Sequence, residues 1–194
     1  MPNPAQCILD HIQPIVLVGG QSSRFGRDKL IEQVNGKPMV AIPINTLRAV
    51  FGNCVAIVGQ CDPQIAAMAD AVIDDPYPGL GPVGGIYAAL EHANSDIFVC
   101  AGDLISIDET TIRTIITASI QEPKALAYIA FDARRHPTVG LYRAGCLPIF
   151  QQSIAKGKLK LGMVLDQDSI RQVPVESSAL RNINRPDELN QSDQ

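Results

Sequence analysis

The sequence predicts a three-layer α/β fold: a mostly parallel sheet, with a small antiparallel addition, between two layers of helices. Up to about residue 120, short apolar runs typical of strands alternate with longer stretches of helical periodicity. This alternation is typical of β-α-β units, which cover both faces of a parallel sheet with helices. The chain has 194 residues, 46% of them hydrophobic and 19% charged, with no internal repeat or linker. We therefore expect a single domain over 1–194 with a core at about 14–190.

The elements of the first part follow from apolar patterning and from capping residues. Asp62 and Asp108 each stand where a side chain can cap the first turn of a helix. The segment 74–85, DDPYPGLGPVGG, is rich in proline and glycine and is predicted to be a loop. The predicted elements are, in order, strand 14–18, helix 39–51, strand 54–58, short helix 62–69, strand 71–73, helix 86–92, strand 97–100 and helix 109–120.

The part of the chain after residue 120 has a different pattern. Two apolar runs, 125–131 and 138–142, flank the polar segment 132–137 and are expected to pair as antiparallel strands. The remaining predicted elements are helical stretches at 147–155 and 161–166 and a strand at 171–175.

Charge and cysteine usage exclude several classes of protein. A net charge of −4 argues against a nucleic-acid partner bound through a broad basic face. The five cysteines are scattered without a C-x-x-C pair, which favours reduced thiols in a cytoplasmic protein. No apolar run approaches the ~20 residues that cross a bilayer, so no membrane partner is expected.

The loop after the first predicted strand, 17–29, has the composition of a polyphosphate site. It follows a parallel strand, at the sheet edge where open α/β folds bind ligands. Its glycines allow close backbone approach, and successive amides can form a nest for an anion. Ser22 and Ser23 add hydroxyl donors, and Arg24 and Lys29 add two fixed positive charges. Together these groups provide the chemistry that a nucleoside triphosphate requires.

Two familiar nucleotide motifs do not fit this loop. The spacing between Gly20 and Gly26 is too wide for G-x-x-x-x-G-K-[ST]. A G-x-G-x-x-G string occurs at 79–84, but it follows a turn and contains Pro82, which lacks an amide donor. An ordinary βα loop with surface charges is the structural alternative for 17–29.

The string LVGGQSSRFGRDK at 17–29 resembles the L-A-G-G-x-S-x-R-[MF]-G-x-D-K signature of the sugar-nucleotidyltransferase-like superfamily. Four further segments agree in order, and with them the chain is similar to the molybdenum cofactor guanylyltransferases. These segments are NGKPM at 35–39, Asp75 with GPVGGI at 81–86, RHPT at 135–138, and NINRPDEL at 182–189. The resemblance spans about 15–189 and implies a Rossmann-like nucleotidyltransferase fold.

The resemblance also implies a reaction and its partners. GTP and molybdenum-bound molybdopterin would give the guanine dinucleotide form of the cofactor and pyrophosphate, with Mg²⁺ as the metal. The terminal phosphate of the pterin would attack the α-phosphorus, and because that phosphate is already ionised no general base is needed. Transient contacts with cofactor-biosynthesis or apo-molybdoenzyme proteins are also implied.

The residues that match the family pattern receive roles by this resemblance. Arg24, Lys29 and Asp103 would be catalytic: the two cations would bind the triphosphate, and Asp103 would hold Mg²⁺. The implied nucleotide-binding residues are Leu17, Val18, Gly19, Gly20, Ser22, Arg24, Lys29, Asp75 and Asp103. The residues implied on the pterin side are His136, Asn182 and Asn184.

Several of these residues have plain structural alternatives. Asp103 could be an N-cap or turn carboxylate, and Asp75 could form a turn before Pro76. His136 could be a structural histidine. The family's D-x-P reads Asp103-Leu104-Ile105 here, so the loop that carries Asp103 could be placed differently.

Three other functions remain open at this point. One is a cytidylyltransferase or another nucleotidyltransferase of the same fold. A second is a GTP-binding accessory module without turnover, for which the altered D-L-I string is the support. The third is a dinucleotide-binding oxidoreductase, which is supported only by the G-x-G-x-x-G string at 79–84.

Overall fold

A computed structural model describes residues 9–19, 28–52 and 54–183 of the chain. Its strands are β1 (Ile12–Leu17), β2 (Gln33–Val34), β3 (Lys37–Pro38), β4 (Ala56–Val58), β5 (Ala71–Ile73), β6 (Asp96–Ala101), β7 (Ala127–Phe131), β8 (Arg135–Tyr142) and β9 (Ile170–Pro174). Its α-helices are α1 (Ala41–Phe51), α2 (Pro63–Ala66), α3 (Pro82–Ala93), α4 (Glu109–Gln121) and α5 (Leu147–Ala155).

The main sheet of the described residues has seven strands in the order β5-β4-β1-β6-β8-β7-β9. Strands β5, β4, β1 and β6 are mutually parallel, and β9 is parallel to β7. Strand β8 is antiparallel to both of its neighbours, β6 and β7. The predicted mostly parallel sheet with an antiparallel addition is confirmed. The carboxyl ends of β1, β6 and β7 therefore meet the amino end of β8 at one edge of the sheet.

Side chains of the central strands alternate between two apolar layers. Val16 and Phe98 belong to one buried cluster, which also contains Ile44 of α1 and Ile112 of α4. Ile15 and Val99, their neighbours in the chain, belong to a second cluster on the other face, with residues of α3 and α5. Each face of the sheet is thus covered by a pair of helices, which confirms the three-layer architecture.

Most predicted elements are present, and the predicted caps form. Asp62 accepts a hydrogen bond from the Gln64 amide at 2.8 Å. Asp108 accepts one from the Thr111 amide at 2.7 Å and begins α4. The predicted helix at 161–166 is wrong in extent, because only a short 3-10 helix, Leu161–Met163, forms there.

Helix α3 begins at Pro82, four residues before the predicted start at 86. Proline suits the first turn of a helix, where its missing amide hydrogen is not needed. A Cβ on Gly85 would lie 3.0 Å from Leu17 Cδ2, so glycine lets the helix pack closely against β1. The glycines that suggested a loop therefore serve helix–sheet packing at this position.

Candidate active site

The end of β1 is held between its two neighbouring strands. The Val18 amide donates to the Val58 carbonyl at 2.9 Å, and the Gly102 amide donates to the Leu17 carbonyl at 2.9 Å. These backbone groups of Leu17 and Val18 are thus used within the protein and position the loop. The chain then turns at Gly19, whose φ is +89°. This is where the predicted phosphate loop begins.

Gly59 sets how closely β4 and the phosphate loop approach each other. It has a φ of +118°, and a Cβ on it would lie 2.1 Å from the Val18 carbonyl oxygen. Only glycine avoids this clash.

We expect Gly59→Ala to lower the free energy of unfolding by about 3 kcal/mol, because the added methyl must push two backbone segments apart. Urea denaturation would measure the change. Gly162→Ala is the matched control, since nothing lies within 4 Å of a Cβ there. Equal stability of the two variants would contradict the close approach.

Lys29 and Asp103 form an ion pair at the carboxyl edge of the sheet. Lys29 Nζ lies 2.7 Å from Asp103 Oδ2, and the two side chains are 20% and 19% exposed. Lys29 opens a 3-10 helix that is capped by the Asp28 carboxylate. Asp103 follows β6 through Gly102, so two loops from adjacent strands bring the charges together. About a fifth of each side chain is exposed, so a ligand at this edge of the sheet can contact both charges.

A segment near the end of the described chain is paired with the loop that carries Asp103. The Ile105 amide donates to the Arg181 carbonyl at 3.0 Å, and the Ile183 amide donates to the Asp103 carbonyl at 3.2 Å. Lys29 Nζ also donates to the Ile183 carbonyl at 3.0 Å. A proline at position 105 would lack the amide of the first bond. With isoleucine in place of proline, the loop gains the hydrogen bond from the Ile105 amide to the Arg181 carbonyl. Asp103 still contacts Lys29.

Asn182 lies within this paired segment. Its backbone bridges Leu104 in antiparallel fashion, and its side chain is exposed. The backbone-pairing role considered for Asn182 is thus present, and its role toward the pterin stays a prediction.

The donor set at Asp103 fits a magnesium ion. Magnesium takes oxygen ligands and is commonly held by only one or two carboxylates, with substrate phosphates and waters completing the shell. In ranges 9–19, 28–52 and 54–183, no group of three or more His, Cys, Asp or Glu side chains forms a metal cluster. Asp103 would offer a metal at this edge one carboxylate, and the phosphates of a ligand would offer further oxygens.

Asp75 lies between β5 and α3, at the same edge of the sheet as β1 but two strands away. Its Oδ1 accepts a hydrogen bond from the Tyr77 amide at 2.8 Å. The turn-forming role is thus present in the fold. Asp75 is half-buried, and its contact with a nucleoside stays a prediction.

His136 is paired with Asp132, a residue that the sequence analysis did not single out. His136 Nε2 lies 3.0 Å from Asp132 Oδ1 across the turn between β7 and β8. The backbone amide of Arg134 and the imidazole of His136 lower the pKa of Asp132 to about 2. The sequence feature that could have indicated this pair is an aspartate four residues before a histidine, between two strands predicted to form a hairpin.

The low pKa of Asp132 predicts a pH dependence of stability. Because the folded-state pKa lies below the ordinary value of 3.8, the stabilisation is full above that value and is lost as the pH falls through about 2. We expect Asp132→Asn to be less stable than wild type at pH 7, with the difference shrinking below pH 4. Urea midpoints measured at several pH values would check this, and a difference that grows on acidification would contradict it.

Four predicted site residues, Gly20, Ser22, Arg24 and Asn184, lie outside the residues that the structure describes. Of the others, the structure brings Gly19, Lys29 and Asp103 together at adjacent strand ends. His136 lies one strand beyond Asp103, on β8.

An open α/β sheet with a Lys–Asp pair beside the loop of its first parallel strand agrees with the class expected from the sequence, a nucleotidyltransferase-like protein. The model of the MobA-like NTP transferase domain matches residues 14–172, and the chain belongs to this family.

Similar proteins agree over most of the chain. The molybdenum cofactor guanylyltransferase of Vibrio cholerae is 30% identical, over 91% of this chain and 89% of that protein. A protein of Thermococcus sibiricus, named "Probable molybdenum cofactor guanylyltransferase", is 30% identical over 90% of this chain and 94% of its own.

Solved structures confirm the fold. A crystal structure from Aquifex aeolicus is similar with a TM-score of 0.76 and 27% identity, covering 90% of this chain and 95% of that one. The molybdopterin-guanine dinucleotide biosynthesis protein A of Archaeoglobus fulgidus has a TM-score of 0.77 at 22% identity, over 92% and 95% of the two chains. At that identity the second likeness shows the fold alone. In the part of the chain that the structure describes, no helix has the length and apolarity to span a membrane.

Proposed function

We propose that the protein transfers the GMP part of GTP to the terminal phosphate of molybdenum-bound molybdopterin, releasing pyrophosphate. Membership of the MobA-like family and the names of relatives at 30% identity support this reaction. The observation that carries it is the pairing of Lys29 with Asp103 at the shared edge of β1 and β6. That pair supplies the cation and the carboxylate that a magnesium-bound triphosphate requires.

The chemistry is a displacement at the α-phosphorus. An oxygen of the acceptor phosphate forms the new bond to phosphorus, and the bond to the bridging oxygen of the leaving pyrophosphate breaks. Both reactants are anions, and the acceptor is already ionised. The protein's contribution is therefore to neutralise charge and to hold the two phosphates in line.

Lys29 and Asp103 would change partners when substrate binds. In the ion pair, the ammonium and the carboxylate neutralise each other over 2.7 Å. With a triphosphate in place, the Lys29 ammonium would donate to phosphate oxygens and the Asp103 carboxylate would hold Mg²⁺. When bound there, Mg²⁺ would supply charge neutralisation at those phosphate oxygens. The Ile183 carbonyl, 3.0 Å from Lys29 Nζ, would keep the ammonium at this edge.

We place this reaction in the cytoplasm, with transient contacts to proteins that make the cofactor or receive it. The cysteines Cys54, Cys61, Cys100 and Cys146 are free thiols, as is usual in a reducing compartment.

A nucleotide panel tests the proposal. Calorimetry with GTP, CTP, ATP and NAD, with and without Mg²⁺, should show tightest binding for GTP and stronger binding with the metal. An assay with molybdenum-molybdopterin should then show release of pyrophosphate only when GTP, acceptor and Mg²⁺ are all present. Preference for CTP would instead identify a cytidylyltransferase. Tight Mg-GTP binding without pyrophosphate release would identify a non-catalytic accessory module.

A further inference from the structure

The turn between β7 and β8 carries a pair of side chains that the mechanism above does not use. His136 Nε2 and Asp132 Oδ1 are 3.0 Å apart, and the two side chains are only 13% and 16% exposed. The Arg134 amide also donates to Asp132 Oδ1, at 2.9 Å. The carboxylate is therefore fixed by its own hairpin before it contacts the imidazole.

This arrangement determines which ring nitrogen of His136 is available. An ionised carboxylate only accepts hydrogen bonds, so Nε2 is the nitrogen that donates to Asp132. Nδ1 makes no hydrogen bond to the residues that the structure describes. Within that same set, no fully buried side-chain nitrogen or oxygen lacks a partner, so Nδ1 retains some contact with solvent. Asp132 thus holds the ring through Nε2 and leaves Nδ1 available to a ligand.

The position of this surface follows from strand order. Strand β8 is the neighbour of β6, and their antiparallel register places Val139 opposite Cys100. Continuing that register, the start of β8 lies beside the loop that carries Asp103. Gly19 and Asp75, two of the described residues expected to meet the nucleotide, lie on the β1 and β5 side of Asp103. His136 lies on the opposite side.

An in-line displacement requires the attacking oxygen and the leaving pyrophosphate on opposite sides of the α-phosphorus. With the leaving pyrophosphate at the loop after β1 and the α-phosphorus beside Asp103, the acceptor would approach from the β8 side. That is the side on which Nδ1 of His136 is accessible.

We propose that Asp132 is a positioning residue for the acceptor: it orients His136 so that Nδ1 shares a hydrogen bond with an oxygen of the pterin's terminal phosphate. This inference rests on the proposed function and extends it by giving Asp132 a role on the pterin side, where the family resemblance already puts His136. His136 contacts substrate, and Asp132 acts through His136.

The test is a double-mutant cycle in the full chain, with Asp132→Ala, His136→Ala and the two combined. The KM for molybdenum-molybdopterin should rise about tenfold in each single variant, the loss expected for a hydrogen bond to a charged phosphate. The KM for GTP should stay within about twofold of wild type, because the nucleotide lies on the other side of Asp103. The double variant should match His136→Ala, because Asp132 has nothing to orient once the imidazole is gone.

Asp168→Ala is the matched control. Asp168 is an exposed aspartate just before β9, at the amino ends of the parallel strands and thus away from the candidate site. Its loss should leave both KM values unchanged. If Asp132→Ala does not fold, Asp132→Asn takes its place, since its amide oxygen still accepts from Arg134 while giving His136 a weaker, uncharged partner. In that variant the KM for the acceptor should rise about threefold.

Each outcome decides a specific point. An unchanged KM for the acceptor, or an effect of Asp132→Ala that persists in the His136→Ala background, would overturn the positioning role and leave the proposed function standing. A wild-type protein that transfers no GMP to molybdenum-molybdopterin would overturn both.

Discussion

Replacing Lys29 by alanine is expected to lower kcat/KM for GMP transfer by about a thousandfold, the cost typical of removing one preorganised charge from a reaction centre. The Lys29 ammonium lies 2.7 Å from Asp103 and only a fifth of its side chain is exposed, so solvent cannot replace it. Pyrophosphate release in the presence of GTP, Mg²⁺ and molybdenum-molybdopterin measures the effect.

Lys124→Ala is the matched control for this substitution. Lys124 is an exposed lysine just before β7, at the amino end of that strand and thus away from the carboxyl ends that carry Lys29 and Asp103. Its removal should leave turnover unchanged. Urea denaturation should show that Lys29→Ala still unfolds cooperatively. Turnover by Lys29→Ala at the wild-type rate would rule out the mechanism.

Replacing Asp103 by asparagine should separate nucleotide binding from turnover. Loss of the carboxylate removes the metal ligand, and GMP transfer should fall by about a thousandfold. Metal-free GTP, in contrast, should bind at least as tightly as to wild type, because a negative charge facing the phosphates has been removed. Calorimetry without Mg²⁺ and the transfer assay with Mg²⁺ measure the two quantities.

Two further variants make this prediction sharper. Asp168→Asn removes a carboxylate at the other edge of the sheet and should change neither quantity. Lys29→Ala combined with Asp103→Asn should be little worse than either alone, since groups that act as a unit are not additive. Full stimulation of Asp103→Asn by Mg²⁺ would contradict the assignment of Asp103.

The layered fold could be predicted from the sequence because its strands are short, apolar and separated by helical periodicity. Helix α3 shows where that reasoning failed. Gly84 and Gly85 have poor helix propensity, yet a Cβ at Gly85 would approach Leu17 within 3.0 Å. Close packing against the sheet outweighed propensity, and local patterns do not contain that information.

The site was predictable in its residue types and not in its contacts. The sequence points to Lys29 and Asp103 separately, but they are 74 residues apart, and only the adjacency of β1 and β6 brings them to one ion pair. Asp132 was missed because an aspartate in a hairpin turn has an ordinary explanation on its own. Its significance depends on where β8 lies in the sheet, which follows from long-range pairing.

The segment 181–183 links two loops of the candidate site that lie far apart in the chain. Its backbone holds both sides of the loop around Leu104, and its last carbonyl contacts the Lys29 ammonium. Removal of this segment would take these partners from the Ile105 amide and the Asp103 carbonyl, and one acceptor from the Lys29 ammonium.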